Sequence, residues 1–170
     1  PELAKMLLAL LFTFKGTVLL YQGEELGLPE ADLRRDQLRD PVGDLYYPQH
    51  KGRDGCRTPM PWDASAPNLG FTDGTPWLPL SPLHKPLAVS AQEADSGSVL
   101  KFAREMLSLR KKHPALRFGD IEFLDAPPSV LAFKRMHTAG DVTCLFNMSA
   151  DPVSFGDVKL AAYGRKIIVG

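Results

Sequence analysis

GTVLLYQGEELG (residues 16–27) runs from a continuous apolar stretch into glycine turns around two adjacent carboxylates. TVLLY (17–21) is short, β-prone and apolar on both faces, so it reads as a strand covered on both sides. That is the condition of a parallel sheet lined by helices. The residues before it read as a helix: Leu3, Met6, Leu7, Leu10, Leu11 and Phe14 fall on one face of a 3.6-residue repeat. Pro1 suits a first helical turn, and Lys15-Gly16 offers a positive charge and a permissive cap at the far end. Helix, glycine turn and doubly buried strand make an αβ unit.

From Gln22 to Gln92 the pattern becomes irregular, and this stretch holds ten of the fifteen prolines. Loops longer than about 15 residues are uncommon in compact domains unless functional or disordered. Leu45, Tyr46, Tyr47, Trp62, Phe71 and Trp77 argue against disorder, which is poor in aromatics. The segment is expected to be an ordered excursion with short helical turns. It leaves the C-terminal end of a parallel strand, where α/β folds place binding sites. A helix is predicted over 96–112, capped by Ser96 or Ser98, with Val99, Phe102, Ala103, Met106 and Leu107 facing inward. Arg110, Lys111 and Lys112 read as its solvated basic end, and Pro114 stops it. Period-two patterns follow in SVLAFKR (129–135) and DVTCLFN (141–147), joined by the loop MHTAG. SADP, VSFGDV and RKIIVG complete a small antiparallel sheet. The expected division is therefore 1–113 for the α/β part and 114–170 for the β part.

Composition narrows the function. Charged residues make up 24% of the chain and the net charge is zero, which excludes nucleic acid and anionic membranes as expected partners. The apolar run MLLALLF (6–12) is far shorter than the roughly eighteen residues that span a bilayer, and it has neither the basic leader nor the cleavage site of a signal peptide. Cys56 and Cys144 are far apart and in unrelated contexts, as expected of free thiols in a cytoplasmic protein. The chain opens directly at a helix, PELAKM, as a piece of a longer chain would.

Two motifs carry chemistry. Glu24 and Glu25 could be read as the acid and nucleophile of a glycosidase, but adjacent residues in extended chain point to opposite faces and cannot flank one bond. A structural role, holding loop amides or pairing with arginine, fits either glutamate better. RDGCRTPMPWD (53–63) combines arginine forks, able to hold carboxylates or sugar hydroxyls, with a tryptophan face on which sugar rings stack. The other reading is a loop pinned by Arg–Asp pairs and a Trp anchor. Both stay open for single residues, whereas the position of the whole segment favours a pocket wall. His50, His84, His113 and His137 lack metal-ligand spacing. No CxxC, glycine-rich phosphate loop or GxSxG is present.

Taken in order, GTVLLYQGEELGLPE, KGRDGCRTPMPWD, GFTDGTPWLPL and VLKFAREMLSLRKKHPALRFG closely resemble the α-glucosidase and oligo-1,6-glucosidase branch of glycoside hydrolase family 13, the α-amylase family. The resemblance covers nearly the whole chain. It implies the C-terminal end of a (β/α)8 TIM barrel: seventh helix at 1–14, eighth strand at 17–21, the long loop at 22–95 and eighth helix at 96–112. Part of an antiparallel β-sandwich domain would follow. It also implies retaining hydrolysis of α-glucosidic bonds, with all three catalytic carboxylates upstream of Pro1, so the chain is expected to contain no catalytic residue and to be inactive alone. By the same resemblance Arg57 contacts sugar beyond the cleaved bond, with Arg53 and Asp54 shaping its loop. Tyr21, Gln22, Gly23 and Glu24 support the pocket floor, and Trp62 and Phe71 read as packing anchors. No cofactor or metal is implied. The partners implied are the oligosaccharide substrate and the remainder of the barrel, with self-association through the apolar faces of 3–14 and 17–21 when isolated. Other functions compatible with the branch are sucrose isomerisation, glucosyl transfer and the non-enzymatic role of membrane-tethered transporter heavy chains. A free-standing sugar-binding β module is disfavoured because 115–170 shows no exposed aromatic row.

Overall fold

The computed structural model describes residues 1–170, which group in space as two units: Pro1–Leu20 with Phe102–Gly170, and Tyr21–Lys101. The expected boundary at 113/114 divides helix from sheet along the sequence. In space, the first helix and most of the long C-terminal helix group with the sheet instead.

The first unit is built on a four-stranded antiparallel sheet. β2 (Val130–Met136) and β3 (Val142–Asn147) form its centre, with β1 (Asp120–Phe123) and β6 (Arg165–Val169) at the edges in the order β1-β2-β3-β6. In the β2–β3 register Phe133 lies opposite Cys144 and Ala132 opposite Leu145. Successive side chains alternate between faces, so one face carries Val130, Ala132 and Leu145. The hairpin of β4 (Val153–Phe155) and β5 (Val158–Leu160) packs there through Val153, Phe155, Val158 and Leu160. The other face carries Phe133 and Phe146, stacked at 5.8 Å, with Phe14 at 5.2 Å from Phe133. Cys144 is fully buried, and burial pushes its thiol up to about 12. The predicted hairpin is present within one residue of its expected bounds. β1 escapes sequence reading because it is four residues long and mostly exposed, leaving no apolar run.

α1 (Glu2–Thr13) confirms the first helix but not its expected inner face. Met6, Leu8, Ala9, Phe12 and Thr13 are buried, whereas Leu3 and Leu7 are 45% and 49% exposed. The helix is apolar around nearly its whole circumference, so periodicity cannot single out one side. Its end also differs from expectation. The cap residue is Phe14 in extended conformation, and Lys15 instead pairs with Asp120 at 2.6 Å.

The last carbonyls of α1 accept from two arginines. Arg110 donates to Phe12 O at 2.8 Å, Phe14 O at 3.2 Å and Gly16 O at 2.6 Å. Arg135, 0% exposed, donates to Thr13 O at 2.6 Å, Leu116 O at 3.1 Å and Gly119 O at 2.8 Å. Burial lowers the pKa of both guanidinium groups. Arg110 is thus a helix-end clamp rather than part of a solvated basic tail.

The expected strand at 17–21 is absent. These residues have no strand pairing, and Leu19 is 82% exposed. A strand exists through its neighbours, and all six strands of this chain belong to the antiparallel sheet or the small hairpin. The predicted helix at 96–112 is α4 (Val99–Lys112), and a short separate helix, α3 (Val89–Ala94), precedes it at the end of the irregular stretch. Ser98 caps α4, its Oγ accepting from Lys101 N at 3.2 Å. Pro114 ends α4 and opens α5 (Pro114–Phe118).

Tyr21–Lys101 is the ordered, strand-free excursion expected. It contains α2 (Pro41–Leu45), α3 and single 3-10 turns at 24–26, 35–37, 54–56, 67–70 and 85–87. One cluster joins Ala31, Leu33, Leu38 and Leu78, and a second joins Leu26, Met60 and Leu100. Gln92 knits the second: its Nε2 donates to Leu26 O and Leu87 O, and its Oε1 accepts from Leu100 N.

Arg135→Met should lower the unfolding free energy by about 3 kcal/mol, because it strands buried carbonyls without a donor. Arg135→Lys should recover part of that, since an ammonium cannot fork between several acceptors. Urea denaturation measures both, and a loss no larger than that of a surface substitution would contradict the clamp.

Candidate functional site

The RDGCRTPMPWD loop is held by two aspartates that clasp across the sequence. Asp54 is fully buried in the 54–56 turn, and its Oδ2 accepts from the amides of Arg39 at 2.5 Å and Asp40 at 2.7 Å. Asp40 caps α2, its Oδ1 accepting from Val42 N at 3.0 Å, and its Oδ2 accepts from Arg53 N at 3.0 Å. Each carboxylate therefore fixes the backbone that carries the other. Those amide bonds hold the Asp40 carboxyl below its ordinary pKa, with Arg57 and Arg53 adding to the effect and burial opposing it.

Arg57 stands 3.8 Å from Asp40 Oδ2 and 3.8 Å from Asp54 Oδ1, close enough to balance charge but outside hydrogen-bond distance. The Asp54 Oδ1 atom accepts no hydrogen bond. Arg53 lies 3.9 Å from Asp40 with its guanidinium largely in solvent. Gly55 is required by space: a Cβ there would sit 2.6 Å from Ala31 O and 2.5 Å from Glu30 Cγ.

The second motif is a turn that ties its own carboxylates. Glu24 Oε2 accepts from Tyr21 N at 2.9 Å, and Glu25 Oε2 accepts from Gly23 N at 2.8 Å. Gly23 has φ +91°, a left-handed conformation that favours glycine. Both glutamates thus hold loop amides, as the sequence reading favoured.

Within Tyr21–Lys101 the two motifs meet in one cleft of about 340 Å³. Tyr21, Gln22, Gly23 and Glu24 form one side, and Gly55, Cys56 and Thr58 the other, with Glu30 and His84 also in the lining. Four of the expected site residues are therefore brought together. Asp54 fixes the loop from beneath, while Arg53 and Arg57 lie outside the lining. Trp62 and Phe71 are 52% and 48% exposed, so neither is the buried anchor expected. Trp62 donates its backbone amide to Leu69 O at 2.8 Å, which fixes the strand of chain and leaves the ring outside.

Sequence reading missed His84 as a cleft residue. It is buried, its Nε2 is 2.8 Å from Pro29 O and its Nδ1 has no partner. A carbonyl only accepts, so Nε2 is the donor to Pro29 O, and Nδ1 is buried without a partner. A lone histidine in SPLHKPL gives no spacing signal for this role. No group of three His, Cys, Asp or Glu side chains is placed to hold a metal ion, and no helix is long and apolar enough to cross a membrane.

Residues 1–119 match the alpha amylase catalytic domain, and the chain belongs to that family. A probable alpha-glucosidase of Rhizobium meliloti (strain 1021) is 53% identical over 146 residues, which are 86% of this chain and 26% of that protein. An oligo-1,6-glucosidase of Parageobacillus thermoglucosidasius is 35% identical over 153 residues, 79% of this chain and 27% of the relative. Among solved structures, the alpha-glucosyl transfer enzyme XgtA superposes with a TM-score of 0.93 at 44% identity, covering 100% of this chain and 36% of that one. The trehalulose synthase MutB, as its A258V mutant, gives 0.88 at 25% identity, covering 99% of this chain and 38% of that one. The chain thus spans about a quarter to two fifths of the length of these relatives.

The clasp should respond to acid. Because the Asp40 pKa is depressed on folding, its contribution is complete above the ordinary carboxylate range, near pH 4, and is lost as pH falls through the lowered value. Hydrogen-exchange protection of the Val42 and Arg53 amides should be constant above about pH 4 and drop below it. In Asp40→Asn it should be low and flat with pH; an unchanged acid profile would remove Asp40 from the clasp.

Proposed function

We propose that this chain forms the C-terminal part of a retaining α-glucosidase acting on short oligosaccharides or sucrose. Residues 1–113 would close a (β/α)8 barrel, and 114–170 would belong to its C-terminal antiparallel β domain. The observation that carries this reading is the cleft shared by the YQGE turn and the DGCRT segment, together with the state of its carboxylates. Glu24, Glu25, Asp40 and Asp54 are all committed to loop amides, which leaves Glu30 alone in the lining. Glycoside hydrolysis by this route needs two carboxyl groups flanking the bond, about 5–5.5 Å apart for retention. The chain therefore supplies a wall, and the acid/base and nucleophile come from outside these residues. Arg57, already charge-balanced beside two aspartates, is the residue we assign to the sugar beyond the cleaved bond, with Arg53 as its outer neighbour.

The remainder of the barrel is the partner this reading requires. Leu3, Leu7 and Leu19 offer exposed apolar surface for it. A concavity of about 720 Å³ lined by Phe12, Val18, Leu20 and Leu107, with Arg110, Lys111 and Arg117 at its edge, is a further docking surface. Isolated, the same surface favours self-association. A cytoplasmic setting suits Cys56 and Cys144, both free thiols. Glucosyl transfer is a second reading, favoured by the 44% identity to a glucosyl transfer enzyme. Both reactions share a glucosyl-enzyme intermediate and differ in whether water or a sugar hydroxyl accepts the glucosyl group.

The complete protein containing these residues should release α-glucose as the first anomer from maltose, isomaltose or sucrose, followed by proton NMR. Growth of new disaccharide at high sugar concentration would instead favour transfer. The 170-residue chain alone should give no turnover, and measurable turnover would overturn the assignment. Arg57→Ala in the complete protein should weaken substrate engagement by about 1.5–3 kcal/mol, the loss of a charged hydrogen bond. Unchanged kinetics on every sugar would reduce Arg57 to a structural role.

A further inference from the structure

A second concavity within Tyr21–Lys101, of about 320 Å³, surrounds the side chain of Trp77. We propose that it binds one glucosyl ring of a neutral oligosaccharide, apart from the cleft described above.

The local sequence explains why a large aromatic ring stands in solvent. Leu78 is a fully buried member of the cluster with Ala31, Leu33 and Leu38. Neighbouring side chains in non-helical chain diverge, so anchoring Leu78 inward turns Trp77 outward. Pro76 and Pro79 flank the pair and restrict the backbone. The indole is consequently 67% exposed on a stiff support. A flat aromatic face carried on a restricted backbone suits the C–H surface of a pyranose ring, and little backbone freedom is lost on binding.

The groups around the ring are unspent. The Arg39 backbone is fixed by Asp54, yet its guanidinium makes no hydrogen bond or ion pair within the chain. Gln37 accepts from Arg34 N through Oε1, which leaves its Nε2 donors free. Asn68 is held by donating to Thr72 O at 2.9 Å and Gly74 O at 2.8 Å, which leaves its Oδ1 as an acceptor. A fixed aromatic face ringed by free donors and an acceptor matches a polyhydroxylated ring, which presents apolar faces and an equatorial set of hydroxyls.

The same feature distinguishes this concavity from the bare apolar surface of α1. Arg39 and Gln37 give this concavity polar donors beside its aromatic ring, which the surface at Leu3 and Leu7 does not have. Asp36 is already occupied by Arg34 at 3.0 Å, so it neither repels nor recruits a ligand.

The test is migration of the complete protein in native gels containing soluble amylopectin, beside gels without it. Retardation is expected, and it should persist in added salt because the ligand is neutral. Trp77→Ala should weaken binding roughly three- to tenfold, within the range of an aromatic contact, while Trp77→Phe keeps most of it and Arg39→Ala loses part. Hydrolysis of a small aryl α-glucoside should be the same in all four proteins, which separates this site from the proposed activity. No retardation of the parent protein, retardation abolished by salt, or equal retardation of Trp77→Ala would each overturn the proposal.

Discussion

The C-terminal end of α1 is closed by guanidinium groups, and the arrangement of the first unit follows from that. A helix end leaves carbonyls that must find donors, and here the donors come from far along the chain, in α4 and β2. Arg135 sits on the sheet face otherwise occupied by Phe133 and Phe146, so a polar knot lies beside an aromatic core. Its acceptors are neutral main-chain oxygens rather than a carboxylate. Repositioning α1 against the sheet by a fraction of a turn would leave both the charge and the carbonyls unsatisfied. The apolar contacts hold the layers together, and the arginines choose one register among several that packing alone would allow.

The second unit reaches the same end with the opposite charge. There the fixed groups are aspartates and the partners are amides. Asp54 and Asp40 orient the loop that carries Arg53 and Arg57, while Glu24 and Glu25 shape the turn on the other side of the cleft. Carboxylates in this region act as scaffolding for backbone, and of the two that line the cleft, Glu24 and Glu30, the first is tied to the Tyr21 amide. Arginine 57 then has a defined position without being consumed by a short ion pair, a condition for contacting something else.

Much of this was legible in the sequence where local rules decide. The two central strands show in the alternation of VLAFKRM and VTCLFN, α4 in its stripe and Ser98 cap, and the ordered loop in its prolines and aromatics. The structural role favoured for Glu24 and Glu25 holds, although they lie in a 3-10 turn and not in the extended chain that reading assumed. What was hidden depends on partners distant in sequence. TVLLY has the composition of a buried strand, but composition cannot supply a neighbour to pair with. The inner face of α1 was ambiguous because nearly every face is apolar. Arg110 looked like a solvated helix end because its acceptors lie 94 to 98 residues away. The aspartate clasp crosses 13 to 15 residues without periodicity, so the loop could be suspected of being pinned but not by which atoms. His84 had no signal at all.

The clasp around the cleft is made to backbone amides, which every residue except proline possesses. Side chains at 53, 56 and 57 can therefore vary while the path of the loop is retained, whereas Gly55 and the two aspartates cannot. Such a division separates what sets the shape of the wall from what sets its chemistry. Substitution at 53, 56 or 57 changes the groups beside the cleft without first dismantling the loop.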